Sequence, residues 1–155
     1  MHDVMNEQVI EEHIMAELNV LYEQAKEIGD EVWALSQWAK ETKPIQEWAK
    51  YRVRVRWKTN SISIEWNRVI FVGPPGKRRP LSKYVRRGKG YAYRISTFGD
   101  APDWELFSIG RFEGQFGPMR KRIERLVKML KEIRAYSREK QAAIEREKLL
   151  EEEIE

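Results

Sequence analysis

The hydrophobic positions near the start of the chain repeat with the period of a helix. From Ile14 to Ala39 they are separated alternately by four and three residues, the heptad spacing of a helix packed along one stripe. Pro44 ends the pattern, because a proline disfavours helical geometry in the residue before it. The pattern predicts one long helix over residues 3–43.

After residue 50 the hydrophobic period changes to two residues, the period of a β-strand. Residues 51–57 and 61–66 each alternate between apolar and polar side chains. The Thr59-Asn60 pair between them is a turn signal, so the two segments predict a β-hairpin.

Two further segments extend this β-region. The apolar run Val69–Val72 is predicted to prolong the second strand after a bulge near residues 67–68. Residues 91–96 alternate in the same phase and are predicted to form a third strand. We therefore expect a three-stranded antiparallel meander within residues 51–98.

The last third of the chain is predicted to be helical. Residues 101–113 form a short helix ended by glycines, and a long heptad-patterned helix starts at Pro118 and covers 118–137. We expect residues 1–137 to form a single α+β domain and residues 138–155 to form a charged helical tail. The two heptad seams predict an antiparallel helix pair within the chain, with homodimerisation through one seam as the alternative.

The charge of the chain is unevenly distributed. Its net charge is only +4, yet residues 51–99 carry 13 Lys and Arg and a single acid, Glu65. Residues 1–50 carry four Lys and Arg against 11 Asp and Glu. Such a concentration of positive charge indicates a surface that binds an anion.

Part of this charge lies on the polar side of the first strand. Strand alternation places Arg52, Arg54, Arg56 and Lys58 on one face over roughly 20 Å, which gives the meander a basic outer face. Neighbouring like charges repel, and the planar guanidinium group suits phosphate. We therefore expect these four residues, called the comb below, to bind nucleic acid. The alternative is a solvated face offset by acids of the first helix.

A second basic group follows the hairpin. It contains seven cations within 13 residues: Lys77, Arg78, Arg79, Lys83, Arg86, Arg87 and Lys89. Arg94, on the polar side of the expected third strand, is expected to join the basic sheet face. A basic loop beside a basic sheet face is typical of proteins that follow a duplex backbone or enter a groove. The alternative is a solubilising loop without a specific ligand.

The segment Lys89–Tyr93 matches the first positions of an RNA-recognition signature, but the match ends at Arg94. The phase of the expected strand also places Tyr91 and Tyr93 on the apolar side with Ile95, where they belong to the core. The basic region thus favours phosphate contact over base stacking.

Catalysis has little support in the sequence. The chain has no Cys, its two histidines have no spaced ligand partners, and the basic region offers one carboxylate. We expect no enzymatic activity, no metal and no cofactor. The acidic start is not a targeting signal and no apolar stretch is long enough to span a membrane, so a cytoplasmic protein is expected.

The run GKRRPLSKYVRRGKGYAY, the Trp-bearing segment after it and MRKRIERLVKMLKEIR together resemble the MobI-type conjugative transfer proteins over about residues 50–135. These are small accessory proteins of integrative conjugative elements and conjugative plasmids. The resemblance implies DNA processing at the transfer origin, alongside a relaxase that performs the chemistry. The expected function is therefore non-catalytic DNA binding. The alternatives are a coiled-coil adaptor that docks an acidic protein, or an RNA-binding protein.

Overall fold

A computed structural model describes residues 6–154. Helix α1 spans Glu7–Thr42. It begins where the side chain of Asn6 accepts a hydrogen bond from the Val9 amide at 3.0 Å, and it ends before Pro44, where Lys43 is extended. The predicted long helix is confirmed, although residues 3–5 of the prediction lie outside the described residues.

The sheet contains three antiparallel strands in the order β1 (Tyr51–Lys58), β2 (Ser61–Val72) and β3 (Arg79–Tyr84). The predicted first hairpin is confirmed. The predicted bulge at 67–68 is wrong, because β2 keeps one unbroken register against β1 and then continues into its pairing with β3.

The predicted third strand at residues 91–96 is also wrong. The glycines at 73 and 76 have positive φ angles of 111° and 82° and reverse the chain directly after β2. The next residues, 79–84, therefore fall beside β2 and pair with it. All six are exposed, so they carry no apolar alternation by which a sequence would reveal them.

Helix α2 spans Asp103–Ile154 without interruption, so the separate short and long helices predicted around Pro118 are one helix. The apolar stripe keeps helical phase across the proline: Phe112, Phe116, Met119 and Ile123 are all buried. The free energy gained by burying these side chains exceeds the cost of the backbone hydrogen bond that Pro118 cannot donate. The predicted tail is the last part of this helix, except for residue 155, which lies outside the described residues.

The two helices run antiparallel, with Glu7 of α1 beside Lys140 of α2 and Trp38 beside Trp104. Their facing positions are buried together, so the apolar stripe of α1 is used within the chain. One face of the sheet packs on this pair. Tyr22 of α1 meets Trp57 of β1 edge to face, with the ring centroids 5.4 Å apart.

Candidate nucleic-acid interface

The comb lies on the face of β1 that points away from the helices. Val53 and Val55 of β1 face Gly29 of α1. Because side chains alternate along a strand, the comb residues point to the other side of the sheet. Arg54, Arg56 and Lys58 are exposed, as predicted from the alternation.

Glu65 of β2 lies among these cations. It stands opposite Arg54, and its carboxylate lies 3.4 Å from the Arg56 guanidinium and 3.6 Å from the Lys58 ammonium. Partial burial by itself would raise the pKa of Glu65, but the Ser63 hydroxyl and these two cations hold the pKa below its ordinary value. Glu65 is therefore charged at neutral pH and offsets part of the comb.

Arg52 has a different environment from the other three. Its guanidinium lies over the Trp33 ring of α1, 5.3 Å from the ring centroid, and it is only half-exposed. A stacked guanidinium keeps its charge while its planar face packs on the ring. Arg52 thus helps to join the sheet to α1. The alternating sequence pattern of β1 did not predict this contact.

The second hairpin, residues 69–84, forms an arm. Since all of β3 is exposed, neither face of that strand is covered by a helix. Lys77 and Arg78 lie in the turn, whereas Arg79 and Lys83 pair with Val72 and Arg68 and so share the face opposite the comb. The arm consequently carries positive charge at its tip and on the face opposite the comb.

Two exposed aromatic residues on this arm were missed in the sequence. Phe71 is 63% exposed and Tyr84 is 56% exposed. Asn67 pairs with both Arg52 and Tyr84, so Tyr84 lies on the same side of the sheet as the comb. Phe71, four residues after Asn67, lies on that side too, but Asn67 and Val69 between the two rings are buried. The side of the sheet on which Phe71 lies could have been predicted from the alternation of β2 without a bulge. The side on which Tyr84 lies could be assigned only from the position of β3.

The remaining predicted cations lie in the segment between β3 and α2. All four line a cavity of about 420 Å³: Arg86, Arg87, Lys89 and Arg94. The Arg87 Nε donates to the Gly90 carbonyl at 2.8 Å, which closes the loop. Arg94 was expected to join the basic sheet face. That expectation is wrong, since residues 91–96 form no strand.

Tyr93 is a core residue, as predicted, although not as part of a strand. Its hydroxyl donates to the Val85 carbonyl at 2.8 Å and accepts from the Trp66 amide at 3.3 Å. Burial raises the pKa of Tyr93 to about 12. Tyr91 is half-buried and donates to Glu124 at 2.9 Å. Tyr93 is therefore not available as a stacking surface for bases.

Over residues 6–154, no group of three or more His, Asp or Glu side chains is placed to hold a metal ion. Within the same range, neither helix is long and apolar enough to cross a membrane.

These features define an α+β protein in which two long antiparallel helices support a three-stranded antiparallel sheet. The chain belongs to the MobI protein family, which it matches over residues 21–134. The matched region includes the entire sheet and the arm. Membership supports an accessory role in mobilisation, the conjugative transfer of DNA. Neither a curated protein nor a solved structure matches the chain.

Proposed function

We propose that the protein is a non-catalytic accessory factor that binds DNA at the transfer origin, where a relaxase performs the strand chemistry. One observation supports this most directly. Within residues 51–84, seven exposed Lys and Arg side chains lie on the two faces of the sheet and in its second turn, together with a single acid, Glu65. The seven are Arg54, Arg56, Lys58, Lys77, Arg78, Arg79 and Lys83.

Phosphate is the ligand that relieves the repulsion in this arrangement. Arg54 and Arg56 are separated by two residues along β1, about 7 Å, so they can contact successive phosphates of one strand. Arginine binds phosphate through two parallel hydrogen bonds, which holds the ligand in a fixed orientation. Glu65 leaves the comb with a net positive charge and restrains Arg56 and Lys58.

The arm supplies the second contact. Its Pro74-Pro75 turn is stiff, and Lys77 and Arg78 stand at its tip. A two-stranded β-ribbon fits the major groove of duplex DNA, and basic extensions also enter the minor groove. The arm would thus contact the groove or the flanking backbone while the comb holds a phosphate strand.

Phe71 and Tyr84 favour an unpaired stretch of DNA within the complex. They lie on the outer face four residues apart in strand register, or about 13 Å. Exposed aromatic rings beside cations are typical of single-strand binding, where each stacked base contributes about 1–3 kcal/mol. Replacing either ring with Ala is expected to weaken single-stranded DNA binding more than duplex binding.

Fluorescence anisotropy tests the proposal with labelled duplex DNA, single-stranded DNA and RNA across a salt series. Two triple variants remove three cations each: Lys77, Arg78 and Arg79→Ser in the arm, and Arg54, Arg56 and Lys58→Ser in the comb. If each cation neutralises one phosphate, the slope of log K against log salt for duplex DNA should become shallower by about 2.7 in either variant.

A matched control removes the same charge from α2. Arg111, Lys121 and Arg122→Ser changes three exposed cations outside the sheet and the arm. This variant should keep the wild-type salt slope. An equal reduction of the salt slope in all three variants would show that DNA binding depends only on the net charge of the protein. No binding to any of the three polymers at low salt would refute the proposal and favour the acidic-protein adaptor, and a preference for RNA would replace DNA as the ligand.

A further inference from the structure

Helix α2 continues well beyond the helix it packs against. The ion pair between Lys140 Nζ and Glu7 Oε1, at 2.9 Å, marks the start of α1. Residues 141–154 extend past this point for about 21 Å and are exposed except for Ala143, which is half-buried. A helix of this length is marginally stable in water without a packing partner. Its exposed Leu150 and Ile154 therefore indicate a packing surface.

Some of the apolar residues of this extension continue a stripe that begins on the folded body, whereas Ile144 and Leu149 lie off it. Positions separated alternately by four and three residues form it, and we call it the outer stripe: Met129, Ile133, Tyr136, Lys140, Ala143, Glu147, Leu150 and Ile154. It runs beside the buried stripe of α2 that packs on α1, and Ile133, which is partly buried against the core, lies at the boundary between the two. Met129, Tyr136, Leu150 and Ile154 are all more than half exposed.

The first part of the outer stripe borders a groove between the two helices. This groove has a volume of about 480 Å³ and is lined mainly by apolar side chains, including Ile10 of α1 and Met129 and Ile133 of α2. The groove and the extension are continuous along one helix. The outer stripe therefore runs from the body of the protein along the extension of α2, and its two charged positions are Lys140 and Glu147.

We propose that the outer stripe pairs with the same stripe of a second copy in antiparallel orientation. Leu150 and Ile154 of each chain would then fill the groove of the other, in a two-fold interface where one surface meets itself. The antiparallel register places Ile154 opposite Met129 and Leu150 opposite Ile133. It also places Glu147 against the Tyr136 hydroxyl.

The polar residue Lys140 has a suitable neighbour in the same register. It falls opposite Ala143, the smallest residue of the outer stripe, so its aliphatic stem has room while its ammonium group stays with Glu7. Each of the four pairs of opposed positions in this register therefore brings together compatible side chains.

The charges select the second copy and the antiparallel orientation. Residues 129–138, which this register places opposite residues 145–154 of the second copy, carry three Lys and Arg and one Glu, whereas residues 145–154 carry two Lys and Arg and five Glu. Antiparallel pairing brings the basic stretch of one chain beside the acidic stretch of the other. A parallel pair would instead place the run Glu151–Glu153 against its own copy, which is repulsive.

Sedimentation and light scattering of the full chain across a wide concentration range test this interface. Leu150→Glu should weaken dimerisation at least tenfold. Leu149→Glu is the matched control, because Leu149 is 60% exposed against 59% for Leu150 but lies off the outer stripe. A wild-type protein that stays monomeric at its highest soluble concentration, or equal effects of the two variants, would overturn the proposal.

The orientation is tested by disulfide cross-linking, since the chain has no Cys of its own. A mixture of Tyr136→Cys and Glu147→Cys proteins should cross-link to each other under mild oxidation, because antiparallel pairing places these positions opposite each other. Each protein alone should cross-link much less. Efficient cross-linking of Glu147→Cys to itself would show a parallel pair and overturn the register.

Discussion

The most informative perturbation of this fold is the loss of the Glu113 carboxylate. Glu113 is buried on α2 and accepts four hydrogen bonds: from Trp66 Nε1 at 2.8 Å, from the Tyr93 amide at 2.7 Å, and from two nitrogens of Arg120 at 2.7 and 3.0 Å. One carboxylate therefore joins β2, the segment before α2, and the helix on both sides of Pro118.

Glu113→Ala leaves the Arg120 charge buried without its counterion, and Arg120 is only 6% exposed. Breaking a buried ion pair in this way costs about 3–5 kcal/mol. The indole N–H of Trp66 and the Tyr93 amide also lose their acceptor, which adds to the cost. Since small domains are stable by about 5–15 kcal/mol, this loss takes a large share of the total.

Replacing both partners separates the ion pair from the hydrogen bonds. The double variant Glu113→Gln with Arg120→Met leaves no buried charge and keeps one acceptor oxygen, which can serve Trp66 or Tyr93 but not both, because these two donate to different carboxylate oxygens. It should therefore be more stable than Glu113→Ala, even though it changes two residues.

Urea unfolding followed by tryptophan fluorescence and far-ultraviolet circular dichroism measures these differences. With a slope of about 2 kcal/mol per molar urea, Glu113→Ala should lower the midpoint by about 1.5–2.5 M without changing the slope. A midpoint shift below about 0.5 M would refute the reasoning, because it would mean that Arg120 finds another partner or water.

Two further predictions concern α2 and α1. Burial raises the pKa of Glu105 from 4.5 to about 7, although the Lys50 and Tyr51 amides donate to its carboxylate. The folded state then binds an extra proton, so stability should fall by about 3 kcal/mol as pH rises from about 4.5 to about 7. Glu105→Gln should flatten this dependence in urea titrations, and an unchanged pH profile in that variant would contradict the assignment. Gly29→Ala places a Cβ at ordinary contact distance, 3.7 Å from Val53 and 3.8 Å from Val55, in a helix interior. It should stabilise the fold by about 0.5–1 kcal/mol and raise the melting temperature, whereas a lower melting temperature would show that the sheet cannot accept the added methyl group.

Some features of the candidate site follow from the local sequence, and others depend on the tertiary structure. The comb was predictable because it depends only on alternation within one strand, and three of its members are exposed as expected. Glu65 was visible as the one acid of the region, but its ion pairs with Arg56 and Lys58 depend on cross-strand register. Phe71 and Tyr84 share the outer face only because β3 pairs with β2, and that pairing has no local signal.

The sequence by itself determined the long first helix, the first hairpin and the concentration of positive charge in the middle of the chain. Each of these follows from local periodicity or composition, which act over a few residues. Tertiary structure decided the third strand and the continuity of α2. Residues 79–84 pair because a glycine turn delivers them to β2, and Pro118 stays within a helix because Phe116 and Met119 on either side of it are buried. In both places, long-range packing outweighed the local preference of the chain.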